Sequence, residues 1–353
     1  MSWPAFWAKT NWKTTLLMPL SRLVCQEAAR RLHKFRSASV SKSSKAAVIV
    51  VGNIVVGGSG KTPFILWLVK RLQQQGLKVG IISRGYGGKS KKWPQWVDAQ
   101  SSPELVGDEP VLLAKHLKCP VVVAPKRNQA LSMLQQEALP DVIISDDGLQ
   151  HYGLARDIEV VMVDAKRLWG NRLCLPAGPL REPLTRLDEV DFIVYNGVKP
   201  ADDGLSGSGV NEQACALKSF EMALQPVRFR QVADPQQERP LHFFKAQSVQ
   251  AMAGIGNPQR FFETLETLQI EVDGRPFADH QAYRLSDFDW VKDEKPLLMT
   301  EKDAVKCLEI AQKQQQHNWW FLEVEPQAND DLFDKLYARI QSVRNAVGLA
   351  SNS

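Results

Sequence analysis

Ala46-Ala47-Val48-Ile49-Val50-Val51 leads through Gly52-Asn53-Ile54-Val55-Val56 into Gly57-Gly58-Ser59-Gly60-Lys61-Thr62, the most informative segment of the sequence. Its first part is short, apolar and rich in β-branched residues, as in a strand buried inside a parallel sheet. After Pro63, the apolar pattern from Phe64 to Leu72 is typical of a helix. Strand, glycine-rich loop and helix in this order predict a phosphate-binding loop, because backbone N–H groups and the helix N-terminus then converge on phosphate oxygens.

Two side chains of this loop have expected roles in nucleotide binding. Lys61 is placed to neutralise the β- and γ-phosphates of ATP, and the Thr62 hydroxyl to hold Mg2+. The strict pattern G-x-x-x-x-G-K-[ST] is not met, since Val55 occupies the first glycine position and the later glycines supply the flexibility. A turn without a ligand is the alternative, but the loop stands where strand gives way to helix. We therefore expect ATP to contact Val55, Val56, Gly57, Gly58, Ser59, Gly60, Lys61 and Thr62.

Other strands of the chain also end in polar loops. Leu77 to Ser83 predicts a strand followed by a glycine-rich loop that carries Arg84. Asp141 to Ser145 predicts another, which ends in Asp146 and Asp147. Twin acids sometimes only cap a helix, but after a phosphate loop they favour Mg2+, reached directly or through water. Ligands of open α/β sheets bind at the carboxyl ends of the strands, which is where these residues fall.

The elements divide into three predicted parts. Residues 1–45 form an amphipathic helix and linker, 46–222 a P-loop domain, and 223–353 a connector and a smaller domain. The last part repeats strand then helix, at Val249 to Leu268 and at Leu297 to Lys306. The predicted fold class is α/β, with a P-loop NTPase-like parallel sheet, a second, smaller α/β domain and an N-terminal amphipathic helix.

Three charged residues have an ordinary structural interpretation when only their spacing is considered. Asp108, followed by Glu109 and Pro110, precedes a helical stretch, which is typical of N-terminal capping. Glu182 lies in a predicted loop where water can solvate it. A single histidine such as His280 more often belongs to a helix start or a core than to a catalytic site.

The basic residues are concentrated at the amino terminus. The 353-residue chain has 44 Lys and Arg against 39 Asp and Glu, a net charge of +5. Residues 1–45 hold nine basic residues and one acidic residue, a net charge of +8, so the remainder carries −3. A nucleic-acid partner is therefore not expected, because the larger part of the chain lacks the basic excess that such partners require.

The same segment has two groups of apolar residues at helical spacing. These are Trp3, Phe6 and Trp7, then Leu16, Leu20, Leu23 and Val24. Tryptophans beside basic residues favour a helix that lies in a lipid headgroup layer. The alternative is a helix that docks on its own protein. There is no apolar run of 18 residues and no signal-peptide pattern, so neither a spanning helix nor a cleaved leader is predicted.

The five cysteines are scattered along the chain. No CxxC pair and no histidine at ligand spacing accompanies them. This pattern disfavours a zinc site and a disulfide framework, and favours a reducing, cytosolic environment. The cysteines are Cys25, Cys119, Cys174, Cys215 and Cys307.

An ordered set of motifs resembles the tetraacyldisaccharide 4'-kinase family of the lipid A pathway. A phosphate loop alone is weak evidence, whereas this set is specific and extends from the N-terminal helix to about residue 306. The motifs are Gly52-Asn53, Val56 to Pro63, Ser83 to Gly87, Val106 to Pro110, Asp146 to His151, Leu175 to Pro183, Asp279-His280 and Thr300 to Lys306.

The resemblance implies a reaction and a location. The family transfers the γ-phosphoryl group of ATP to the 4'-hydroxyl group of tetraacyldisaccharide 1-phosphate and forms the 1,4'-bisphosphate. ATP, Mg2+ and the lipid are thus the expected ligands. The resemblance also implies a peripheral enzyme at the anionic cytoplasmic face of the bacterial inner membrane. We expect a monomer.

The resemblance further assigns roles to residues. Asp108 is implied as the base that accepts the sugar hydroxyl proton, and His280 as its partner across the domain cleft, which reverses their structural interpretation. Arg84 and Arg127 are candidates for further positive charge at the phosphates. The implied catalytic residues are Lys61, Asp108 and His280, and the implied metal-binding residues are Thr62, Asp146, Asp147 and Glu182.

Two other functions are compatible with parts of the sequence. A P-loop switch or partitioning ATPase would hydrolyse ATP in response to a protein partner and would have no lipid acceptor. A nucleic-acid binder would use the basic N-terminal segment and would bind in a salt-sensitive manner. The ordered motifs favour the lipid kinase over both.

Overall fold

The computed structural model describes residues 3–37, 45–279, 281–292 and 294–351, with side chains up to residue 346. His280 and residues 38–44, which belong to the predicted N-terminal helix and linker segment, lie outside the described residues. None of the helices in the described ranges combines the length and the hydrophobicity of a membrane-spanning segment.

The strands of the described chain are numbered in chain order. They are β1 (Ala47–Gly52), β2 (Val79–Ser83), β3 (Gln95–Val97), β4 (Val121–Val123), β5 (Val142–Asp146), β6 (Ile158–Asp164), β7 (Phe192–Asn196), β8 (Ser219–Gln231), β9 (Glu238–Pro240), β10 (Ser248–Ala253), β11 (Glu271–Pro276), β12 (Leu297–Thr300) and β13 (Trp319–Ala328).

The α-helices are numbered in the same way, and short 3-10 helices occur between them. The α-helices are α1 (Trp12–Ser37), α2 (Lys61–Gln74), α3 (Pro103–Val106), α4 (Asp108–His116), α5 (Arg127–Glu137), α6 (Glu212–Leu217), α7 (Pro258–Thr267), α8 (Glu301–Lys313) and α9 (Asp330–Ser351). The 3-10 helices are Ala5–Trp7, Leu184–Asp188, Leu241–Phe244 and Leu285–Phe288.

In the described part of the chain, one sheet contains all of these strands, in the order β11-β10-β12-β13-β8-β7-β6-β1-β5-β2-β4-β3, with β9 beside β8. The run from β8 to β4 is parallel throughout. The strands β11, β10, β12 and β13 are also parallel to one another. These two runs, called here the first and second blocks, meet where β8 and β13 pair antiparallel. The α/β prediction is confirmed.

The centre of the first block is buried on both faces, as the apolar run of β1 predicts. Ile49 and Val51 face a core that includes Phe64 of α2. Val48 and Val50 point to the opposite face, toward α5 and the loops after β6. Because successive side chains of a strand alternate between faces, a run of six apolar residues supplies both cores at once.

The second block has its own buried clusters on either side of β10 and β12. The predicted domain boundary between residues 222 and 223 falls inside β8, a strand that pairs with both β7 and β13. The sheet is therefore continuous across that boundary. The division into two domains stays a prediction, and the blocks describe strand direction only.

The two groups of apolar residues in the N-terminal segment differ in their surroundings: one docks on the protein and the other is exposed. Trp3 and Trp7 dock on the protein itself, since their indole nitrogens donate to the carbonyl oxygens of Val56 and Pro176, each at 3.0 Å. The α1 helix, by contrast, buries only Thr14 and Ser21 among its side chains. Four of its large apolar residues face outward, with exposures of 72% for Trp12, 72% for Leu16, 52% for Leu20 and 61% for Leu23.

The expectation of no disulfide was wrong for one pair of cysteines. Cys25 of α1 and Cys174 form a disulfide although 149 residues separate them. The Ser21 hydroxyl, one helical turn earlier, donates to the Cys174 carbonyl at 2.7 Å, which places α1 directly over this loop. Spacing along the chain carries no information on such a long-range pair. The other cysteines, Cys119, Cys215 and Cys307, are free thiols.

Candidate functional site

The phosphate loop and the twin acids lie side by side because their strands do. In the parallel pair β1 and β5, Val51 is opposite Asp146, so both strands end at the same edge. The Lys61 ammonium of the loop is 3.4 Å from a carboxylate oxygen of Asp147. A glycine loop with a lysine therefore faces two carboxylates, the arrangement that the sequence predicts.

Two kinds of contact fix the shape of the phosphate loop. The Asn53 amide donates to the Gly57 carbonyl at 2.9 Å and to the Ser59 hydroxyl at 3.3 Å. Gly60 has a left-handed backbone, with φ of +90°, and a Cβ there would lie 2.3 Å from the Asn196 amide nitrogen. Only glycine meets both the dihedral and the space. The loop ends as α2 begins at Lys61.

Val55 and Val56, which are predicted to contact ATP, both contact the segment Leu175 to Pro183. The Val56 nitrogen donates to the Pro179 carbonyl at 2.9 Å, and Val55 pairs with Leu180. Val56 lines the cleft together with the rest of the loop up to Thr62, whereas Val55 does not. The segment Leu175 to Pro183, which resembles a family motif, thus supports the start of the phosphate loop through backbone contacts.

The twin acids have different surroundings. Asp147 contacts Lys61 and Arg181, which lower the pKa of its carboxyl group although burial opposes ionisation. Asp146 is fully buried, and burial raises the pKa of its carboxyl group. One Asp146 oxygen accepts from the Ser83 hydroxyl at 3.2 Å, while the other has no hydrogen-bond partner among the described residues.

This donor set fits Mg2+ bound together with a nucleotide. A buried carboxylate oxygen without a partner is costly unless a cation or a proton satisfies it. Mg2+ commonly uses one or two carboxylates and completes its shell with water and substrate phosphates. In the described ranges no group of three or more acidic, His or Cys side chains forms a closed metal cage. Thr62, Asp146 and Asp147 all line the cleft and are available for such a shared site.

Arg127 supports the acids through their backbone. Its guanidinium donates to the carbonyl oxygens of Asp146 at 3.0 Å and Asp147 at 2.7 Å. Asp147 has a left-handed φ of 47°, so this arginine stabilises a turn that is uncommon for a residue with a side chain. Burial lowers the pKa of Arg127. Both Arg127 and Arg84 also line the cleft, and their role at the phosphates stays a prediction.

Asp108 is one of three acidic residues that contact the same lysine. The Lys302 ammonium lies 3.7 Å from Asp108, 3.2 Å from Glu109 and 3.3 Å from Asp279. Although burial disfavours its charged form, Glu109, Asp108 and Asp279 raise the pKa of Lys302. Asp279 is the residue before His280 in the chain. The structure therefore brings the chain neighbour of His280 into the same charged group as Asp108.

Glu182 is set apart from the cleft by its partners. Its carboxylate accepts from the Gln150 amide at 2.9 Å and from the Tyr152 hydroxyl. It is 2% exposed, and burial raises the pKa of its carboxyl group. Gln150 also lies 3.4 Å from Arg181, which contacts Asp147. The metal-binding role of Glu182 stays a prediction, and its observed contact with the acids runs through two other side chains.

Most of the predicted site residues line a cleft of about 1250 Å3 between the two blocks, whereas Val55, Asp108 and Glu182 are not part of its lining. The first block contributes the phosphate loop, Arg84 and the twin acids, and the second contributes Gly256, Arg260 and Lys302. Sequence reasoning did not single out Lys302, Asn196 or Arg260, which also line the cleft. Lys302 stands inside a motif that resembles the family, which was the available signal, whereas Asn196 and Arg260 carried none.

Comparisons with known proteins agree with this geometry. The family model described as tetraacyldisaccharide-1-P 4'-kinase matches residues 13–341. A tetraacyldisaccharide 4'-kinase of Hydrogenovibrio crunogenus is 56% identical over 329 residues, which cover 92% of this chain and 94% of that protein. One from Methylobacillus flagellatus is 45% identical over 339 residues, with 96% and 92% covered.

A solved structure has the same fold. It is the crystal structure of the Aquifex aeolicus protein in complex with ATP, with 30% identity, a TM-score of 0.73, and coverage of 94% of this chain and 99% of that chain. The family model and the relatives each extend over nearly the whole sequence. This chain belongs to the tetraacyldisaccharide 4'-kinase family.

Proposed function

We propose that this kinase transfers the γ-phosphoryl group of ATP to the 4'-hydroxyl group of tetraacyldisaccharide 1-phosphate in the cleft between the two blocks. The product is the 1,4'-bisphosphate of lipid A biosynthesis. The observation that carries the site assignment is the meeting of Lys61 with Asp146 and Asp147 at one edge of the sheet. Family membership supports the reaction and its substrates.

The phosphate loop and the twin acids bind the ATP phosphates and Mg2+. The loop N–H groups and Lys61 bind the phosphates, and Thr62, Asp146 and Asp147 hold Mg2+. Mg2+, when bound, offsets the negative charge of the phosphates. Phosphoryl transfer depends mainly on positioning and on charge stabilisation, because the protein makes no covalent bond to the phosphoryl group.

On the acceptor side, Asp108 takes the proton of the 4'-hydroxyl group as its oxygen attacks phosphorus. Its place at the start of α4 is buried, which keeps the carboxylate orientation defined. Lys302 supports this role by holding Asp108 together with Glu109 and Asp279 in one charged group. We keep His280 as the partner that orients Asp108, on the strength of the family resemblance and of the nearby position of Asp279.

The test of the reaction is an assay with γ-labelled ATP and the disaccharide 1-phosphate in detergent micelles. We expect label in the lipid at the 4'-position, dependent on Mg2+, and none when the acceptor has its 4'-hydroxyl group blocked. Hydrolysis of ATP without lipid labelling would contradict the proposal and would favour the alternative of a P-loop ATPase with a protein partner.

The location at the membrane is a second part of the proposal. The outward face of α1 exposes Trp12, Leu16, Leu20 and Leu23 within a segment of net charge +8. An amphipathic helix of this kind lies in the headgroup layer, with apolar side chains inserted and cations on anionic lipids. Arg31 of the same helix lines the cleft. A lipid acceptor thus has a direct route from the membrane surface to the site, at the cytoplasmic face of the inner membrane.

Flotation on anionic liposomes tests this surface. We expect Leu16→Glu with Leu20→Glu to reduce the membrane-bound fraction strongly, because a leucine that is exposed in the free protein and becomes buried in the membrane contributes about 1.5–3 kcal/mol. Val198→Glu with Leu217→Glu is the matched control, since these residues are 80% and 81% exposed and receive the same charges. Equal loss in both double variants, or no loss in either, would contradict the use of α1. Deleting the segment is a poorer test, because Trp3 contacts the phosphate loop.

A further inference from the structure

We propose that Arg260 of α7 is a positioning residue for the phosphate loop and acts on it through Asn196. The inference rests on the nucleotide-binding assignment proposed above. It gives a role in ATP binding to a residue of the second block that is not among the predicted catalytic residues. A chain of contacts crosses the cleft from α7 to Ser59 and carries this role.

The first contact is a two-point grip on one residue. The Arg260 guanidinium donates to the Asn196 side-chain oxygen at 2.8 Å and to the Asn196 carbonyl at 3.2 Å. Asn196 ends β7, at the same sheet edge as the phosphate loop. Two donors from a rigid, planar group define the orientation of the Asn196 amide, which a single flexible ammonium cannot do.

The second contact passes that orientation to the loop. With its oxygen facing Arg260, the Asn196 amide presents its nitrogen to the Ser59 carbonyl at 3.3 Å. The same nitrogen occupies the space that a Cβ on Gly60 would need. Asn196 therefore limits the loop on two sides, immediately before Lys61. A shift of the amide would move the groups that bind phosphate.

The chain segment before Arg260 is seated on the loop as well. A Cβ on Gly256 would lie 2.0 Å from the Gly58 nitrogen, so two backbones are in contact here. Behind this turn, the Gly254 nitrogen donates to Asp303 of α8 at 3.0 Å. The second block thus brings a supported turn, and not only one side chain, against the phosphate loop.

Charge and burial are consistent with a held, cationic Arg260. Burial lowers the pKa of its guanidinium, while Asp164 and Glu263 oppose that shift. Asp164 also accepts from the Asn257 amide at 3.3 Å, which adds a parallel contact between the blocks. Arg260 lines the cleft itself. A direct contact with nucleotide is therefore the competing role, and the experiment must separate the two.

The test is a double-mutant cycle on the full-length enzyme with Arg260→Met and Asn196→Asp. The introduced aspartate would keep an acceptor for Arg260 but lose the donor to Ser59. We expect each variant to raise the KM for ATP and the ATP dissociation constant about tenfold, the size of one charge-assisted hydrogen bond. The KM for lipid and the melting temperature should change little. The double variant should be no worse than either single one.

Every other pattern overturns the inference. Multiplied effects in the double variant would mean that Arg260 acts on the nucleotide independently of Asn196. An unchanged KM for ATP, or a lowered melting temperature with an unchanged KM, would leave Arg260 with a structural role only. If Asn196→Asp does not fold, Asn196→Ala takes its place with the same expected and contrary results. Arg260→Lys should give an intermediate KM, because one donor of the two remains.

Two controls separate this inference from the assignment on which it rests. Gln259→Ala changes an exposed neighbour on the same helix and should leave all constants unchanged. Lys61→Ala tests the nucleotide site itself. ATP binding that is insensitive to Lys61→Ala would remove the assignment, whereas binding that is sensitive to Lys61→Ala but not to Arg260→Met would remove only the inference.

Discussion

Replacing Lys61 by alanine is expected to lower kcat/KM by about 10^2 to 10^3-fold, which is typical of removing one group that stabilises developing charge. The reason is geometric. Lys61 begins α2, directly after Gly60, and lies 3.4 Å from Asp147 beside the predicted phosphate site. The alanine variant removes one of the cations that compensate the negative charge of the phosphates. Steady-state labelling of the lipid with γ-labelled ATP measures the effect.

A control is needed because Lys61 also contacts an acid of the protein. Lys70→Ala removes a positive charge from the exposed face of the same helix and should leave kcat/KM and the melting temperature unchanged. Arg181 remains as a partner of Asp147 in the Lys61 variant, so its fold should persist. A Lys61→Ala enzyme with near wild-type turnover, and an unchanged melting temperature, would remove this lysine from the reaction.

The parts of the site that could be predicted from sequence are those that follow from neighbouring residues. The apolar run of β1, the glycines and Lys61 lie within 17 residues of one another, so local chemistry alone places the loop between strand and helix. Asp146 and Asp147 required one more step. Parallel strands end at a common edge, and this rule is enough to bring β5 beside β1.

The parts that could not be predicted depend on contacts between distant segments. Arg260 and Asn196 are 64 residues apart, and neither stands in a pattern that marks it. The pairing of Cys25 with Cys174 joins a helix to a loop that no spacing relates. Periodicity also treats all apolar residues of the N-terminal segment alike. Trp3 and Trp7 nevertheless dock on the protein through their indole nitrogens, whereas Leu16 is 72% exposed. Only the fold decides which residues meet.

The surroundings of Asp108 also depend on a contact between distant segments that the sequence does not predict. Spacing gave it the ordinary position of an acid at the start of a helix, and α4 does begin there. Its side chain nevertheless lies in a charged group with Lys302 from the second block, 194 residues later. A helix-capping acid needs no such partner. The contact places Asp108 beside a residue that lines the cleft, as the base assignment from the family resemblance requires.

Asp108→Asn is therefore expected to lower kcat by about 10^2 to 10^4-fold, the usual contribution of a general base, while the KM for ATP changes little. The amide has the shape of the carboxylate but cannot accept the proton of the sugar hydroxyl group. Lys302 keeps Glu109 and Asp279 as partners in this variant, so the melting temperature should fall only slightly. Single-turnover transfer from γ-labelled ATP to the lipid isolates the chemical step.

The competing explanation is that Asp108 only supports Lys302, and two further variants distinguish the roles. Lys302→Met removes the cation and leaves Asp108 in place; if support of Lys302 were the whole role, it would match Asp108→Asn in kcat. If Asp108 is the base, Lys302→Met should retain more of kcat but lose more thermal stability, because it leaves three acids without their common partner. Glu104→Gln, an exposed acid just before α4, should change neither. Normal turnover in Asp108→Asn would require another group to accept the proton.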